Sequence, residues 1–282
     1  MFELGGSSCI LERKDGDVIR KISSTKDYND RLKEQMFKQM EFLSVNKSIN
    51  VDAPLILNSG VIEDSGLFFF DMEYIRGNIF VEHMPFLSTI EVHRIGRTFC
   101  EYFDDLILRS KLYKSDELES AVGDKLEELK KNSDHVEFIE YLQKQEVGPI
   151  MKSKCHGDLT FSNMIFFGKK IYLIDFLDSF VDSFLIDFVK LKQDLYYRWS
   201  FYLSGIPSYY VLRVKQVFYY LWSVLQGMYK DFIDTHSFRL LESINFLRIE
   251  PYVTGIKKEH LNRIIKETPL YEKFDNTNGR RI

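Results

Sequence analysis

The chain has 282 residues, of which 45% are hydrophobic and 15% aromatic, which is enough for a sizeable core in one large domain or two lobes. Its 38 basic and 42 acidic residues give a formal net charge of −4, which argues against a nucleic-acid or anionic-membrane partner. Three cysteines without a CxxC pair favour neither a disulfide framework nor a zinc site, and no signal peptide or membrane span is evident, so we expect a soluble, cytoplasmic protein.

The N-terminal segment predicts a β-hairpin that follows a loop of small residues. Strands over residues 7–11 and 17–22 are joined by the turn sequence Arg-Lys-Asp-Gly. Backbone N–H groups and hydroxyls of the preceding loop can cover nucleotide phosphates, although a plain N-terminal turn explains it equally well. The loop is formed by Gly5, Gly6, Ser7 and Ser8.

A lysine lies on the inward face of the second strand of this hairpin. Ile19 and Lys21 point to the same side, and an inward lysine at the end of a strand is costly unless it meets anions. Lys21 is therefore our candidate for a contact with an anionic ligand. Arg20 takes this role if the register shifts by one residue.

The next segments predict a helix, a strand and then a mainly helical region. Residues 27–45 lack proline and glycine and carry apolar side chains every three to four positions, which predicts a helix. Residues 67–77, LFFFDMEYIRG, predict a buried strand that runs into a connection. Beyond it helices predominate, and residues 183–199 and 209–232 are rich in tyrosine and tryptophan. Such aromatic stripes are more often core than ligand sites, but they can also stack on a sugar or enclose a quaternary amine.

The most informative pattern is CHGDLTFSN at residues 155–163, which is followed by IDF at residues 174–176. Two apolar runs between them, residues 164–167 and 171–173, flank Gly-Lys-Lys and predict a short β-hairpin.

Pairing these strands symmetrically about Lys169 places Asn163 opposite Asp175, with Asp158 on the loop that leads into the hairpin. A carboxamide and a carboxylate with a second carboxylate nearby suit Mg²⁺, which is typically held by one or two side-chain oxygens and by substrate phosphates. The spacing therefore indicates phosphoryl-transfer chemistry.

This pattern resembles the aminoglycoside phosphotransferase and choline kinase superfamily, whose fold and active site are related to those of protein kinases. Protein kinases carry Arg at the position of Gly157 and Gly at the position of Leu177, and both departures favour the small-molecule branch. The resemblance implies an α+β, protein kinase-like, two-lobed fold. A small antiparallel-sheet N-lobe would comprise residues 1–76, and a mainly helical C-lobe residues 77–282.

The resemblance also implies roles in catalysis. Asp158 would accept or orient the proton of an acceptor hydroxyl while the γ-phosphoryl group of ATP is transferred, and Asn163 and Asp175 would hold Mg²⁺. Lys21 would contact the α- and β-phosphates, and Glu34 on the following helix would pair with it, with Glu41 as the alternative.

A segment resembling the interlobe hinge would bind adenine through main-chain atoms; it comprises Met72, Glu73, Tyr74 and Ile75. The loop at residues 155–163, which carries Asp158, would be the catalytic loop. By the same resemblance, His156 is expected to brace this loop by hydrogen bonds to backbone, and Asp187 to tie its own helix to it. Contacts with the acceptor are assigned to Asp178, Asp182 and Tyr197, although a solvated loop explains the two aspartates equally well.

Three functions compete at this point. A small-molecule kinase would act on a hydroxyl of a sugar, amino alcohol or related metabolite, including those of surface-glycan metabolism, or on an aminoglycoside antibiotic. A protein kinase is disfavoured because no Ala-Pro-Glu follows Asp175. A silent nucleotide-binding module is disfavoured because all three polar residues of the motif are present.

Overall fold

The computed structural model describes residues 9–114, 116–205 and 207–277, and it has the expected α+β architecture with a small antiparallel sheet and a mainly helical remainder. The phosphate-covering loop expected at residues 5–8 lies outside the described residues.

The strands are β1 (Cys9–Lys14), β2 (Val18–Ser23), β3 (Val51–Asp52), β4 (Ile56–Val61), β5 (Phe68–Glu73), β6 (Asn78–Ile79), β7 (Lys111–Tyr113), β8 (Ile150–Lys152), β9 (Met164–Phe167) and β10 (Lys170–Leu173).

The helices are α1 (Asn29–Val45), α2 (Phe80–His83), α3 (Thr89–Arg109), α4 (Asp116–Lys130), α5 (Val136–Gln143), α6 (Phe184–Leu195), α7 (Trp199–Leu203), α8 (Val211–Met228), α9 (Lys230–Ile233), α10 (His236–Ile249), α11 (Gly255–Lys266) and α12 (Pro269–Thr277). No helix within the described ranges is both long enough and apolar enough to cross a membrane.

The chain forms two compact units. The first contains the described residues up to Asp105 together with His156–Asp178 and Ser200–Val217. The second contains Leu106–Cys155, Ser179–Trp199 and the described residues from Phe218 onward. The first unit extends beyond residue 76, so a lobe boundary at that position stays a prediction.

A four-stranded antiparallel sheet and α1 form the N-terminal part of the first unit. The strand order is β1-β2-β5-β4, and α1 packs on the sheet through an apolar core of Leu32, Met36, Phe68, Phe70 and Met72. The side chain of Asn29, at the start of α1, accepts a hydrogen bond from the Phe68 N–H and donates one to the Gly66 carbonyl. The first turn of the helix is thereby tied to the strand on which it packs.

The hairpin β9–β10 lies in a second sheet of the same unit, with strand order β3-β10-β9-β6. Phe167 pairs with Lys170 and Met164 with Leu173, so the loop has two residues and the predicted register is wrong by one. Gly168, at φ +62°, occupies the first loop position, where a type II′ turn requires a positive φ. Asn163 therefore does not lie directly opposite Asp175; the Ile174 N–H instead donates to the Asn163 carbonyl over 3.0 Å.

The second unit is mainly helical, with β7 and β8 paired as a two-stranded antiparallel sheet. Helix α10 contacts α4, α6, α11 and α12 and is buried over nearly its whole length, as expected for a helix at the centre of a core. The aromatic segment 183–199 is largely buried here, which confirms the interpretation that its rings are mostly core.

Candidate active site

The catalytic loop is fixed by a buried histidine. His156 Nδ1 accepts the Asp158 N–H over 3.2 Å, so the ring proton is on Nε2, which donates to the Ile174 carbonyl over 2.8 Å. The ring also packs against Phe176, with 4.4 Å between the ring centroids. Burial lowers the pKa of His156 to about 4, so the imidazole is neutral at pH 7. These contacts agree with the bracing role expected for His156.

Gly157 allows the catalytic loop to lie against the segment that follows Asp175. It adopts φ +85°, and an added Cβ would collide with the backbone carbonyl of Leu177. The Leu177 N–H also donates to the His156 carbonyl over 3.0 Å. Only glycine fits this position, because it needs both a left-handed conformation and a missing side chain.

Asp158 and Asn163 lie side by side at the end of this loop. Asn163 Nδ2 donates to the Asp158 backbone carbonyl over 2.9 Å and to Asp158 Oδ2 over 2.8 Å. Since the amide nitrogen is used in these bonds, Asn163 Oδ1 is left as an acceptor in a half-buried position. The Asp158 carboxylate is held by the side chain that was predicted to share its site.

Asp175 and Lys21 form the second polar pair of the site. Lys21 Nζ lies 2.7 Å from Asp175 Oδ1 and donates to Gln35 Oε1 over 2.8 Å. Burial by itself would lower the pKa of the Lys21 ammonium, but the negative charge of Asp175 and its hydrogen bond raise this pKa above the ordinary lysine value. Asp175 has φ +60°, a sparsely populated conformation for a residue other than glycine, and such conformations cluster at functional sites.

The side chains of Asp175 and Asn163 fit the chemistry of a Mg²⁺ site. Asp175 Oδ2 and Asn163 Oδ1 have no hydrogen-bond partner among the described residues. Within these residues no group of three or more His, Cys, Asp or Glu side chains is placed to hold a metal. Two side-chain oxygens suit Mg²⁺, because this ion takes its remaining ligands from water and substrate phosphates.

The prediction that a glutamate of α1 pairs with Lys21 is wrong. Glu34 and Glu41 are both exposed, and the α1 side chain that reaches Lys21 is Gln35. Leu32, Gln35, Met36 and Gln39 form the buried face of α1, and Glu34 points away from it. Arg20 points away from Lys21 and binds both carboxylate oxygens of Asp71, at 2.7 and 2.8 Å.

An apolar cavity of about 260 Å³ lies in the first unit between the β1–β2 hairpin and the segment after β5. All four residues expected to form the hinge line it, and Ile165 of β9 and Ile174 line it too. The N–H groups of Glu73 and Tyr74 are bonded to the carbonyls of Leu55 and Asp17, whereas the Ile75 N–H has no partner among the described residues. The hinge therefore offers a main-chain donor at the cavity.

Three aspartates expected near the site differ in environment. Asp178 is exposed at the end of the first unit's second segment, His156–Asp178. In the second unit, Asp182 is half-buried, and its Oδ1 lies 3.9 Å from the Cys155 thiol. Asp187 is completely buried in the first turn of α6. The acceptor and bracing roles assigned to these residues stay predictions.

Tyr197 is a core residue of the second unit, so the expected acceptor contact is wrong. Only 7% of its surface is exposed, and its hydroxyl donates to Glu242 Oε1 over 3.0 Å. Lys192 Nζ lies 2.6 Å from the same carboxylate oxygen and within 5.8 Å of the centroids of four rings, those of Tyr196, Tyr197, Trp222 and Phe238. The chain's own lysine thus occupies the aromatic cluster that the sequence suggested for a ligand amine.

Two polar residues of α1 at the site were missed in the sequence. Gln35 contacts Lys21, and Lys38, one turn further on, donates from Nζ to the Leu177 carbonyl over 2.6 Å. The apolar residues alone defined the predicted helix face, and extending that face to polar positions at steps of three and four would have included Gln35.

Comparison with known proteins agrees with this arrangement. Residues 7–202 match the phosphotransferase enzyme family, APH. The chain has no significant match among curated protein sequences.

Aminoglycoside phosphotransferases of known structure share the fold at low sequence identity, and three of them are described here. The gentamicin complex of APH(2″)-IIa has a TM-score of 0.54 and 14% identity, covering 98% of this chain and 89% of that one. The GDP complex of aminoglycoside 2′-phosphotransferase-IIIa has a TM-score of 0.57 and 14% identity, covering 97% and 91%. A thermostable APH(4)-Ia variant with ADP and hygromycin B has a TM-score of 0.56 and 9% identity, covering 92% and 94%.

The matched region spans more than half of the chain and includes the catalytic loop, the β9–β10 hairpin and Asp175. The fold is the kinase-like fold of the aminoglycoside phosphotransferases. The chain therefore belongs to the phosphotransferase enzyme family.

Proposed function

We propose that this protein transfers the γ-phosphoryl group of ATP to a hydroxyl of a small molecule. The observation that carries the proposal is that two polar pairs, Asp158 with Asn163 and Lys21 with Asp175, belong to one cluster of loops. The backbone segments that carry them are held together by the contacts of His156 and Gly157. Two carboxylates, a carboxamide and a buried lysine in one loop cluster suit a nucleotide triphosphate and its metal.

The reaction assigns a separate task to each residue. The acceptor oxygen forms a bond to the γ-phosphorus, the bond to the β–γ bridging oxygen breaks, and ADP leaves with that oxygen. Asp158 takes the hydroxyl proton, and Lys21 stabilises charge on the α- and β-phosphates. Asn163 Oδ1 and Asp175 would hold Mg²⁺, whose chemistry would be to supply positive charge to the phosphates.

The apolar cavity at the hinge is the proposed site of the nucleotide base. Its apolar walls suit a flat purine, and the Ile75 N–H can donate to a ring nitrogen. Two of the three solved structures described above are complexes with GDP or ADP, which supports a nucleotide substrate. ATP is our choice of donor, and a parallel assay with GTP tests it.

The acceptor is proposed to be a sugar, an amino alcohol or a related metabolite, including precursors of surface glycans, and the enzyme is proposed to act in the cytoplasm. An aminoglycoside is the second candidate acceptor, because the neighbouring structures include complexes with gentamicin and hygromycin B. Asp178 and Asp182 are retained as proposed acceptor contacts.

The test is ADP production from ATP and Mg²⁺ against a panel of sugars, amino alcohols and aminoglycosides. We expect at least one acceptor to stimulate ADP release, with acceptor phosphorylation confirmed by mass spectrometry. Asp158→Asn retains size and hydrogen bonding but not the carboxylate base, so turnover should fall about 10²- to 10⁴-fold. The proposal fails if no acceptor is phosphorylated and neither ATP nor ADP binds in the presence of Mg²⁺.

A further inference from the structure

Lys38 on α1 contacts the backbone that follows the proposed metal ligand. Its Nζ donates to the Leu177 carbonyl over 2.6 Å, a short distance typical of a hydrogen bond from a charged group. Lys38 lies one turn beyond Gln35 on the same helix and is half-buried. Residues three apart on a helix are neighbours, so one helix contacts both Lys21 and the segment after Asp175.

The Leu177 peptide joins the metal-binding segment to the catalytic loop. Its N–H donates to the His156 carbonyl, and its carbonyl oxygen lies against Gly157, at the point where a Cβ would collide. Lys38 donates to this same oxygen. The peptide is therefore held on one side by the catalytic loop and on the other by α1.

Leu177 follows Asp175 by only two residues, and the backbone of Asp175 is in a left-handed conformation. For a residue other than glycine, such a conformation persists where surrounding contacts over-determine it. Phe176, between the two, is buried against the rings of Phe42 and His156. The hydrogen bond from Lys38 adds a fixed point directly after this buried ring.

We propose that Lys38 is a positioning residue that holds Asp175 in its metal-binding orientation by fixing the Leu177 peptide. The proposal rests on the proposed function, because it concerns the metal ligand of that site. Its consequence is that the loss of Lys38 weakens the Mg²⁺-dependent part of nucleotide binding. The metal-independent part, which depends on the apolar hinge cavity, is unaffected.

The experiment compares ADP binding in Mg²⁺ with ADP binding in EDTA by isothermal titration calorimetry. Lys38→Met keeps the length of the side chain but removes the donor, and Lys38→Arg keeps a charged donor. Lys33→Met is the matched control, because Lys33 is on the same helix but its ion pair with Asp30 is exposed. We expect Lys38→Met to weaken ADP binding about tenfold in Mg²⁺ and less than twofold in EDTA, where a tenfold change corresponds to about 1.4 kcal/mol.

Rescue by the conservative variant separates positioning from general destabilisation. Lys38→Arg should restore Mg²⁺-dependent binding to within about threefold of the wild type, and Lys33→Met should match the wild type in both conditions. Equal losses in Mg²⁺ and EDTA, or no loss in Lys38→Met, would overturn the proposal while leaving the proposed function intact. Wild-type protein that binds no ADP in either condition would instead contradict the proposed function.

Discussion

Lys21 Nζ and Asp175 Oδ1 are 2.7 Å apart, and each is the other's charged partner in the site. The Lys21 side chain is 3% exposed and the Asp175 side chain 31% exposed, so the lysine depends on the carboxylate for charge compensation. Gln35 supplies a neutral oxygen to the same ammonium group. Two residues to which the sequence assigned separate roles in catalysis thus form an ion pair that is also a determinant of stability.

The Asp175→Ala variant should lose both activity and stability. It removes a proposed metal ligand, so Mg²⁺-dependent ATP turnover should be abolished. It also leaves Lys21 buried without an opposite charge, which costs about 1–3 kcal/mol, less than for a fully buried pair because Asp175 is partly exposed. Chemical denaturation and an ADP-release assay measure the two effects. Asp64→Ala, at an exposed turn, is the control and should be neutral in both.

A double variant distinguishes a buried unpaired charge from loss of packing. In Lys21→Met/Asp175→Ala no unpaired ammonium remains, so stability should recover to within about 1 kcal/mol of the wild type. Activity should stay absent. If the two single losses in stability simply add, Lys21 and Asp175 are not energetically coupled.

The hairpin shows how far the sequence could determine the site. The apolar runs before and after Gly168 predicted both strands, but not which of the intervening residues form the turn. Symmetric pairing about Lys169 left a three-residue loop, whereas the positive φ of Gly168 permits a loop of two. Asn163 and Asp175 were predicted as members of one site, but the contact between Asn163 and Asp158 depends on the backbone of the catalytic loop, which periodicity does not describe.

Helix α1 also shows that the sequence pattern predicts an element better than it predicts the contacts of its polar residues. Its existence followed from the spacing of its apolar residues, but not all of them are core: Leu32 and Met36 are buried, whereas Phe37 and Met40 are exposed. Glu34 and Gln35 are consecutive, so their side chains differ in direction by about 100° around the helix axis, and the sequence did not determine which of them faces Lys21. The expected role for Glu34 assumed that the partner of Lys21 is charged. An uncharged partner suffices here because Asp175 already balances the charge of Lys21.

Gly157 should be far less tolerant of a side chain than Gly168, although both have a positive φ. In Gly168→Ala the added Cβ has no atom within 4 Å, so the variant should lose about 1–2 kcal/mol of unfolding free energy, which is the cost of a positive φ for alanine. Gly157→Ala meets the Leu177 carbonyl in addition, so its loss of stability should be at least twice as large. Equal losses of unfolding free energy in the two variants would show that the loop can move away from Leu177 without strain.

The buried His156 should make stability depend on pH. Its pKa is lowered from 6.5 to about 4 by burial, so between these values the unfolded chain binds a proton that the folded protein does not. Unfolding free energy should therefore rise with pH across this window and fall as the pH drops from 7 to 5, by about 2 kcal/mol from this residue.

The matched measurement uses His156→Gln, which does not titrate. The variant should be less stable than the wild type at pH 7, because the contact of the ring with Phe176 is lost, but its stability should change less between pH 7 and pH 5. His236 and His260 are present in both proteins and contribute equally to both slopes. Parallel pH profiles for the two proteins would mean that folding does not lower the pKa of His156.

Tyr197→Phe should lower stability without affecting substrate binding. Burial raises the pKa of the Tyr197 phenol, so its hydroxyl is protonated and donates to Glu242 Oε1. Glu242 is 1% exposed, and its Oε2 has no hydrogen-bond partner in the described part of the chain. Loss of the hydroxyl therefore leaves a buried carboxylate whose Oε1 keeps its contact with Lys192. We expect a loss of about 1–3 kcal/mol in unfolding free energy, the cost of leaving a buried polar group with one partner fewer.

The kinetic constants of Tyr197→Phe separate its two possible roles. Because the side chain lies in the core, the mutation should change no contact with either substrate. KM for ATP and KM for the acceptor should therefore both stay within about twofold of the wild-type values. Tyr219→Phe, at a tyrosine that is 75% exposed on α8, is the control and should change neither stability nor KM. A rise in acceptor KM at unchanged stability would return Tyr197 to the acceptor site and contradict the assignment of its hydroxyl to Glu242.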